Sequence, residues 1–128
     1  MQKVFIIEDD ALLLRMLERV FTFEQFEVEK ATDGADALAK LITMDTAPSA
    51  IILDIMIPVL SGMEVLKKIK EHEKLAHVPV MVLTNLSPGR ENAEKILAAG
   101  ASVCLLKSQY TPSEVVQKIK DLIQDTEA

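Results

Sequence analysis

Asp54 closes the apolar run Ile51-Ile52-Leu53, and an acid in that place is costly unless it is paired or put to use. Three other apolar runs end on polar residues in the same way. Val4-Phe5-Ile6-Ile7 meets Glu8-Asp9-Asp10, Val80-Met81-Val82-Leu83 meets Thr84, and Val103-Cys104-Leu105-Leu106 meets Lys107. Brought to one rim, Asp54 and the acidic cluster concentrate negative charge. Two like charges about 4 Å apart repel by roughly 4 kcal/mol at an effective dielectric near 20. Such a cluster needs a counter-cation, or some of its members must take up protons. Carboxylates, a backbone carbonyl and water suit a hard cation such as Mg2+, which phosphate oxygens complete. Lys107 adds a fixed positive charge and Thr84 a hydroxyl donor. A carboxylate nucleophile among these groups is equipped for phosphoryl transfer, where protein groups chiefly position the reactants and neutralise charge. The sequence has no Walker-type Gly-rich loop, so the phosphoryl group must come from elsewhere. Taken singly, Asp9 or Asp10 could instead cap a helix, Thr84 serve a turn and Lys107 sit in solvent.

The elements that must position these residues are legible in the hydrophobic pattern. Runs apolar at every position predict strands buried on both faces, as in a parallel sheet covered by helices. Phe26-Glu27-Val28-Glu29-Lys30-Ala31 alternates loosely, as an edge strand does. Between the strands lie stripes of helical period. They comprise Leu12, Leu13, Met16, Leu17, Val20 and Phe21; then Ala35, Leu38, Leu41 and Ile42; then Val65, Leu66 and Ile69; then Ile96 and Leu97; and last Val115, Val116, Ile119, Leu122 and Ile123. Ser61-Gly62-Met63-Glu64 and Thr111-Pro112-Ser113-Glu114 are capping-box patterns, Ser87-Pro88 opens the fourth helix, and Gly100 stops it. The expected fold is α/β, a three-layer α/β/α sandwich around a five-stranded parallel sheet. In such sheets ligands bind beyond the carboxyl ends of the strands, where the polar residues stand.

Bulk properties narrow the function. The 128 residues fit one domain, spanning 1–128. With 49 % hydrophobic and 27 % charged residues the chain reads as soluble and globular. A net charge of −6 argues against direct binding of nucleic acid or a membrane surface. The apolar run near Met1 stops after four residues at Glu8, too short for a signal peptide or a membrane span, so the expected location is cytoplasmic. Cys104 is the only cysteine, which excludes an intrachain disulfide. His72 and His77 read as surface histidines, the methionines as core filler, and Lys67, Lys68 and Lys70 as a solvated helix face.

Together, Ile6-Ile7-Glu8-Asp9-Asp10, Ile52-Leu53-Asp54-Ile55-Met56-Ile57-Pro58 with Gly62, Leu83-Thr84 and Lys107 closely resemble the response-regulator receiver family over practically the whole chain. Ala31-Thr32-Asp33-Gly34 with Ala37-Leu38, and Ala99-Gly100-Ala101, fit the same pattern. Receivers of this family are a standard example of flavodoxin-like sheet order 2-1-3-4-5, so that order is taken from the resemblance. The resemblance implies that Asp54 accepts a phosphoryl group from a sensor histidine kinase or phosphotransfer protein. It implies that Glu8 and Asp9 hold Mg2+ together with Asp54 and the backbone carbonyl of Met56, with Asp10 outside that set. Thr84 and Lys107 then contact the phosphoryl group, and the signal passes to a downstream protein through the face of the fourth helix, fifth strand and fifth helix.

Four departures from the family pattern are informative, the last of them covering two positions. Cys104 stands where an aromatic residue usually swings inward, and so small a side chain cannot act as that switch. Ser108 replaces a Pro usually preceded by a cis bond; before a non-proline that bond costs about 2.5–4 kcal/mol, and the sequence leaves cis and trans open. Asn85 follows Thr84 where a smaller residue is common, and could narrow access to Asp54. Met56 and Leu86 are apolar and cannot orient a water, which implies slow self-dephosphorylation. A haloacid-dehalogenase-type phosphatase would need a second Asp where Met56 stands. The remaining alternative is a receiver-like interaction domain that works without phosphate. Because the chain ends shortly after the last helix and starts at Met1, a stand-alone regulator is expected.

Overall fold

A computed structural model describes residues 1–85 and 90–127, excepting the side chains of Arg90 and Glu91. Its five strands are β1 (Lys3–Ile7), β2 (Glu27–Ala31), β3 (Ala50–Leu53), β4 (Val80–Thr84) and β5 (Val103–Leu106). The helices are α1 (Ala11–Phe23), α2 (Gly34–Thr43), α3 (Gly62–Glu71), α4 (Arg90–Ala98) and α5 (Pro112–Glu127). All strand pairs are parallel and the sheet order is β2-β1-β3-β4-β5, as expected.

The continuous apolar runs divide between two cores because successive strand residues face opposite ways. Phe5, Ile7, Ile51, Leu53, Val80 and Val82 pack with α2, α3 and α4. Val4, Ile6, Ile52, Met81 and Leu83 pack with α1 and α5. Every residue of β3 and β4 is buried, which leaves their C-terminal ends as the first places a polar group can stand. β5 differs from the expectation of full burial: as an edge strand it is half-buried at Val103, Cys104 and Leu106.

Helix packing corrects several sequence expectations. In α1 the buried face is Leu14, Leu17 and Phe21, while Leu12 and Met16 are exposed. Leu12, Leu13 and Leu14 are all apolar, so period alone cannot say which faces the sheet. In α2 the buried residues are Gly34, Ala37, Leu38 and Leu41, and Ala35 and Ile42 face outward. Leu97 of α4 is also exposed. Only Met81 among the methionines is buried; Met1, Met16 and Met56 are exposed, and Met44 and Met63 lie at the edge of a core. Lys70 is not merely solvated: its Nζ donates to the carbonyls of Ala76 and Val78, tying α3 to the following loop, and burial pulls its pKa down. His77 is exposed, whereas half-buried His72 accepts the Lys74 N–H at Nδ1.

Helix ends follow the local chemistry. Thr111 and Glu114 form a reciprocal capping box, and Ser61 accepts the Glu64 N–H. Asp10, not Asp9, caps α1, taking the Leu12 and Leu13 N–H groups. Ser87-Pro88 lies outside the described residues. Two helices end in the same closing turn. After α4, Gly100 at φ 115° donates to Leu97 and Ala101 donates to Ile96. After α1, Gln25 at φ 67° donates to Thr22 and Phe26 donates to Phe21, the two rings meeting edge-on at 5.1 Å. A left-handed residue costs Gln what Gly avoids. Gln25→Gly is therefore expected to stabilise the fold by about 1 kcal/mol, read as a higher urea midpoint at unchanged slope.

Candidate functional site

Parallel pairing carries the polar residues to one rim. Leu53 lies opposite Ile7 and Val82, so Asp54 stands just beyond the end of β1 and level with the end of β4. Thr84, fully buried, is paired in register with Leu106, the residue before Lys107. Backbone bonds hold the acids in place: the Asp54 N–H donates to Ile7 and the Glu8 N–H to Ala31.

The acids do not share one environment. Glu8 is 2 % exposed and Asp54 4 %, whereas Asp9 is open to solvent. One carboxylate oxygen from each of the three lies within 4.8 Å of the others. Lys107 reaches into this group, with Nζ 2.7 Å from Asp54 Oδ2 and 2.5 Å from Glu8 Oε1. The second oxygens are also engaged, since Met56 N–H donates to Asp54 Oδ1 and Asp10 N–H to Glu8 Oε2. Burial pushes the Glu8 carboxyl above the usual range; Lys107 and the Asp10 N–H pull it back without cancelling that rise. Burial also pulls the Lys107 ammonium down, but Asp54 and Glu8 together outweigh it and hold it above the ordinary lysine value.

Charge and donor type fit a divalent cation. Three carboxylates against one ammonium leave two negative charges, and the donors are the hard oxygens that Mg2+ prefers. Two residues after Asp54 the Met56 side chain is exposed, between buried Ile55 and Ile57.

The departing positions have definite places. Lys107–Gln109 forms a 3-10 turn, and the described residues contain no cis peptide bond, so Lys107–Ser108 is trans. Cys104 is half-buried against the α2-α3-α4 core, and burial raises its thiol pKa, the behaviour of a small packing residue. Asn85 is exposed beyond β4, and Leu86 lies outside the described residues. Sequence reasoning missed the turn at Pro58–Leu60, where Val59 takes φ 71°. No residue signal announces it, since a β-branched side chain is the least expected there.

Removing Lys107 would leave two buried carboxylates facing each other. Lys107→Met is expected to cost about 3 kcal/mol near neutral pH without divalent cation. The sign of its pH dependence follows from Glu8. A folded-state pKa above the unfolded value makes the native state bind more protons, so stability falls as pH rises through that window. Without Lys107 that rise grows, and the penalty should shrink as the pH drops toward the ordinary glutamate range. Urea melts of both proteins at neutral and mildly acidic pH check this; a penalty independent of pH would show that Glu8 is not the uncompensated group.

The comparisons with known proteins agree with this arrangement. The response regulator receiver domain family matches residues 4–120. The chain is 34 % identical over 126 residues to the transcriptional regulatory protein CpxR homolog of Haemophilus influenzae, covering 97 % of this chain and 51 % of that protein. It spans about half the length of the curated relatives it matches. Among solved structures it resembles a CheY-like receiver domain protein from Methanospirillum hungatei, with TM-score 0.88, 26 % identity, and 99 % and 97 % of the two chains covered. The receiver domain of sensor histidine kinase PA1611 from Pseudomonas aeruginosa, with a magnesium ion coordinated in its active-site cleft, matches with TM-score 0.82 and 26 % identity, covering 96 % and 98 %. With its fold, its rim of acids and its sequence all in agreement, the chain belongs to the response regulator receiver domain family.

Proposed function

We propose that this domain is a phosphorylation switch in which Asp54 accepts a phosphoryl group from the phosphohistidine of a histidine kinase or phosphotransfer protein. The observation that carries this reading is a buried carboxylate at a strand end whose oxygens are held by Lys107 and the Met56 N–H. An Asp54 oxygen forms the new O–P bond as the N–P bond of the donor breaks, and the imidazole leaves with the electron pair. Lys107 neutralises charge that develops on the transferred group, and the Thr84 hydroxyl donates to one of its oxygens. Glu8, Asp9, Asp54 and the Met56 carbonyl would hold Mg2+, which when bound supplies further neutralisation of the phosphoryl oxygens. No free metabolite is turned over, and the new charge is reported to a downstream protein through the α4–β5–α5 face. With Cys104 half-buried on β5, that report does not use an aromatic rotamer.

Incubation with acetyl phosphate and Mg2+ should add the mass of one phosphoryl group, and Asp54→Asn should abolish the gain. No gain on the wild type, with a full effect on a partner retained, would favour an interaction domain that works without phosphate.

The surroundings also bear on the lifetime. Met56 presents an exposed apolar side chain beside the acceptor and cannot orient water by a hydrogen bond. Phospho-Asp54 should therefore outlast seconds without an added phosphatase, and Met56→Asn should shorten its lifetime severalfold. Decay of the phosphorylated mass after donor removal decides it.

A further inference from the structure

The short link from Lys107 to the head of α5 is anchored at one side chain. Its 3-10 turn, Lys107–Gln109, has no side-chain cap, and Ser108 and Gln109 are exposed. Tyr110, which follows, is half-buried and packs against the core that α1 and α5 share. Lys118 of α5 holds its Nζ 5.9 Å from the centre of the ring, within reach of a cation–π contact. Past Tyr110 the chain is fixed again. Thr111 and Glu114 close their reciprocal capping box, and the Val115 N–H donates to the Thr111 carbonyl. On the other side of the turn, β5 is an edge strand paired with β4 alone, so its end is the less firmly held. A shift of Lys107 therefore has one place to be taken up, at Tyr110.

Phosphorylation changes what Lys107 is paired with. In the resting site its ammonium lies against two carboxylates, Glu8 and Asp54. Once an Asp54 oxygen is bonded to phosphorus, the negative charge of that side chain lies on the phosphoryl oxygens, farther out from the strand end. Coulombic attraction then draws the ammonium outward after it. Resting on the reading of Asp54 as the phosphoacceptor, we propose that Tyr110 relays this shift: the turn carries the movement of Lys107 to Tyr110 and lifts the ring from its seat between the α1–α5 core and Lys118. The residue moves with its backbone, so no change of rotamer is needed. Tyr110 touches none of the reacting atoms. It couples the charge at Asp54 to the start of α5, where a displaced ring bares apolar surface that the resting domain covers.

The composition supplies the probe. Tyr110 is the only tyrosine and the chain has no tryptophan, so tyrosine emission reports this ring alone. Acrylamide quenching of that emission, measured with Mg2+ before and after addition of acetyl phosphate, should rise severalfold as the phosphoryl mass appears. Asp54→Asn given the same additions should show neither the mass nor the rise. Lys118→Met removes the cation over the ring and leaves the acceptor and Lys107 in place. Its quenching should already be raised before acetyl phosphate is added, and it should still gain the phosphoryl mass. A full gain of mass on the wild type with unchanged quenching would mean that Lys107 re-pairs by its side chain alone; the relay is then overturned and the acceptor reading stands. If the wild type gains no mass, the acceptor reading is wrong and the relay falls with it.

Discussion

Two buried carboxylates share one buried ammonium, and most of the architecture at the rim exists to make that arrangement tolerable. Glu8 and Asp54 sit at the ends of neighbouring strands, and Lys107 comes from the far edge of the sheet to meet both. Removing ions from water costs several kcal/mol each, and their attraction offsets this only with good geometry and satisfied hydrogen bonds. Both conditions hold, since N–H groups of Met56 and Asp10 take the remaining oxygens. The carboxylates of Glu8, Asp9 and Asp54 outnumber the one ammonium of Lys107, so the ionised group carries more negative charge than one lysine can balance. A site with that residual charge is receptive to a cation and to the groups a cation brings with it.

The parallel sheet makes this possible by leaving the strand interiors no room for polarity. β3 and β4 are buried throughout and the four apolar residues of β1 likewise, so each core takes alternate residues. The ladder ends together on the pairs Ile7–Leu53 and Thr84–Leu106, and polar groups begin there. The helices contribute by closing tightly on the loops. Gly34 and Gly62 admit backbone approaches that any side chain would block, and both approaches bear on the segment after Asp54.

Departures from the family pattern fall on the neighbours of the ion group and leave Glu8, Asp54 and Lys107 in contact. Ser108 follows a trans bond within a short 3-10 turn, and Lys107 still reaches both acids from there. Cys104 packs as a small apolar residue at a half-buried edge position. The ion group is thus intact although two neighbouring residues differ in kind, because its geometry rests on strand register and not on those side chains.

Element type and order were legible in the residues alone, because a strand buried on both faces must be apolar at every position and a helix must repeat its apolar face. So were Glu8, Asp9, Asp54, Thr84 and Lys107 as rim residues, since each directly follows an apolar run. Which leucine of Leu12-Leu13-Leu14 faces inward was not, because three adjacent apolar residues satisfy more than one helical face. Nor was the role of Lys70, whose partners at Ala76 and Val78 are backbone carbonyls that any sequence would supply. The left-handed turn at Val59 ran against residue preference and became visible only through the neighbours that impose it. Sequence by itself determined what kinds of group meet at the rim, for local pattern dictates which residues can stand at the end of a buried strand. Tertiary structure alone decided that Lys107 joins Glu8 to Asp54 and that a strained turn is braced against α2, because both depend on distances between segments that no local pattern encodes.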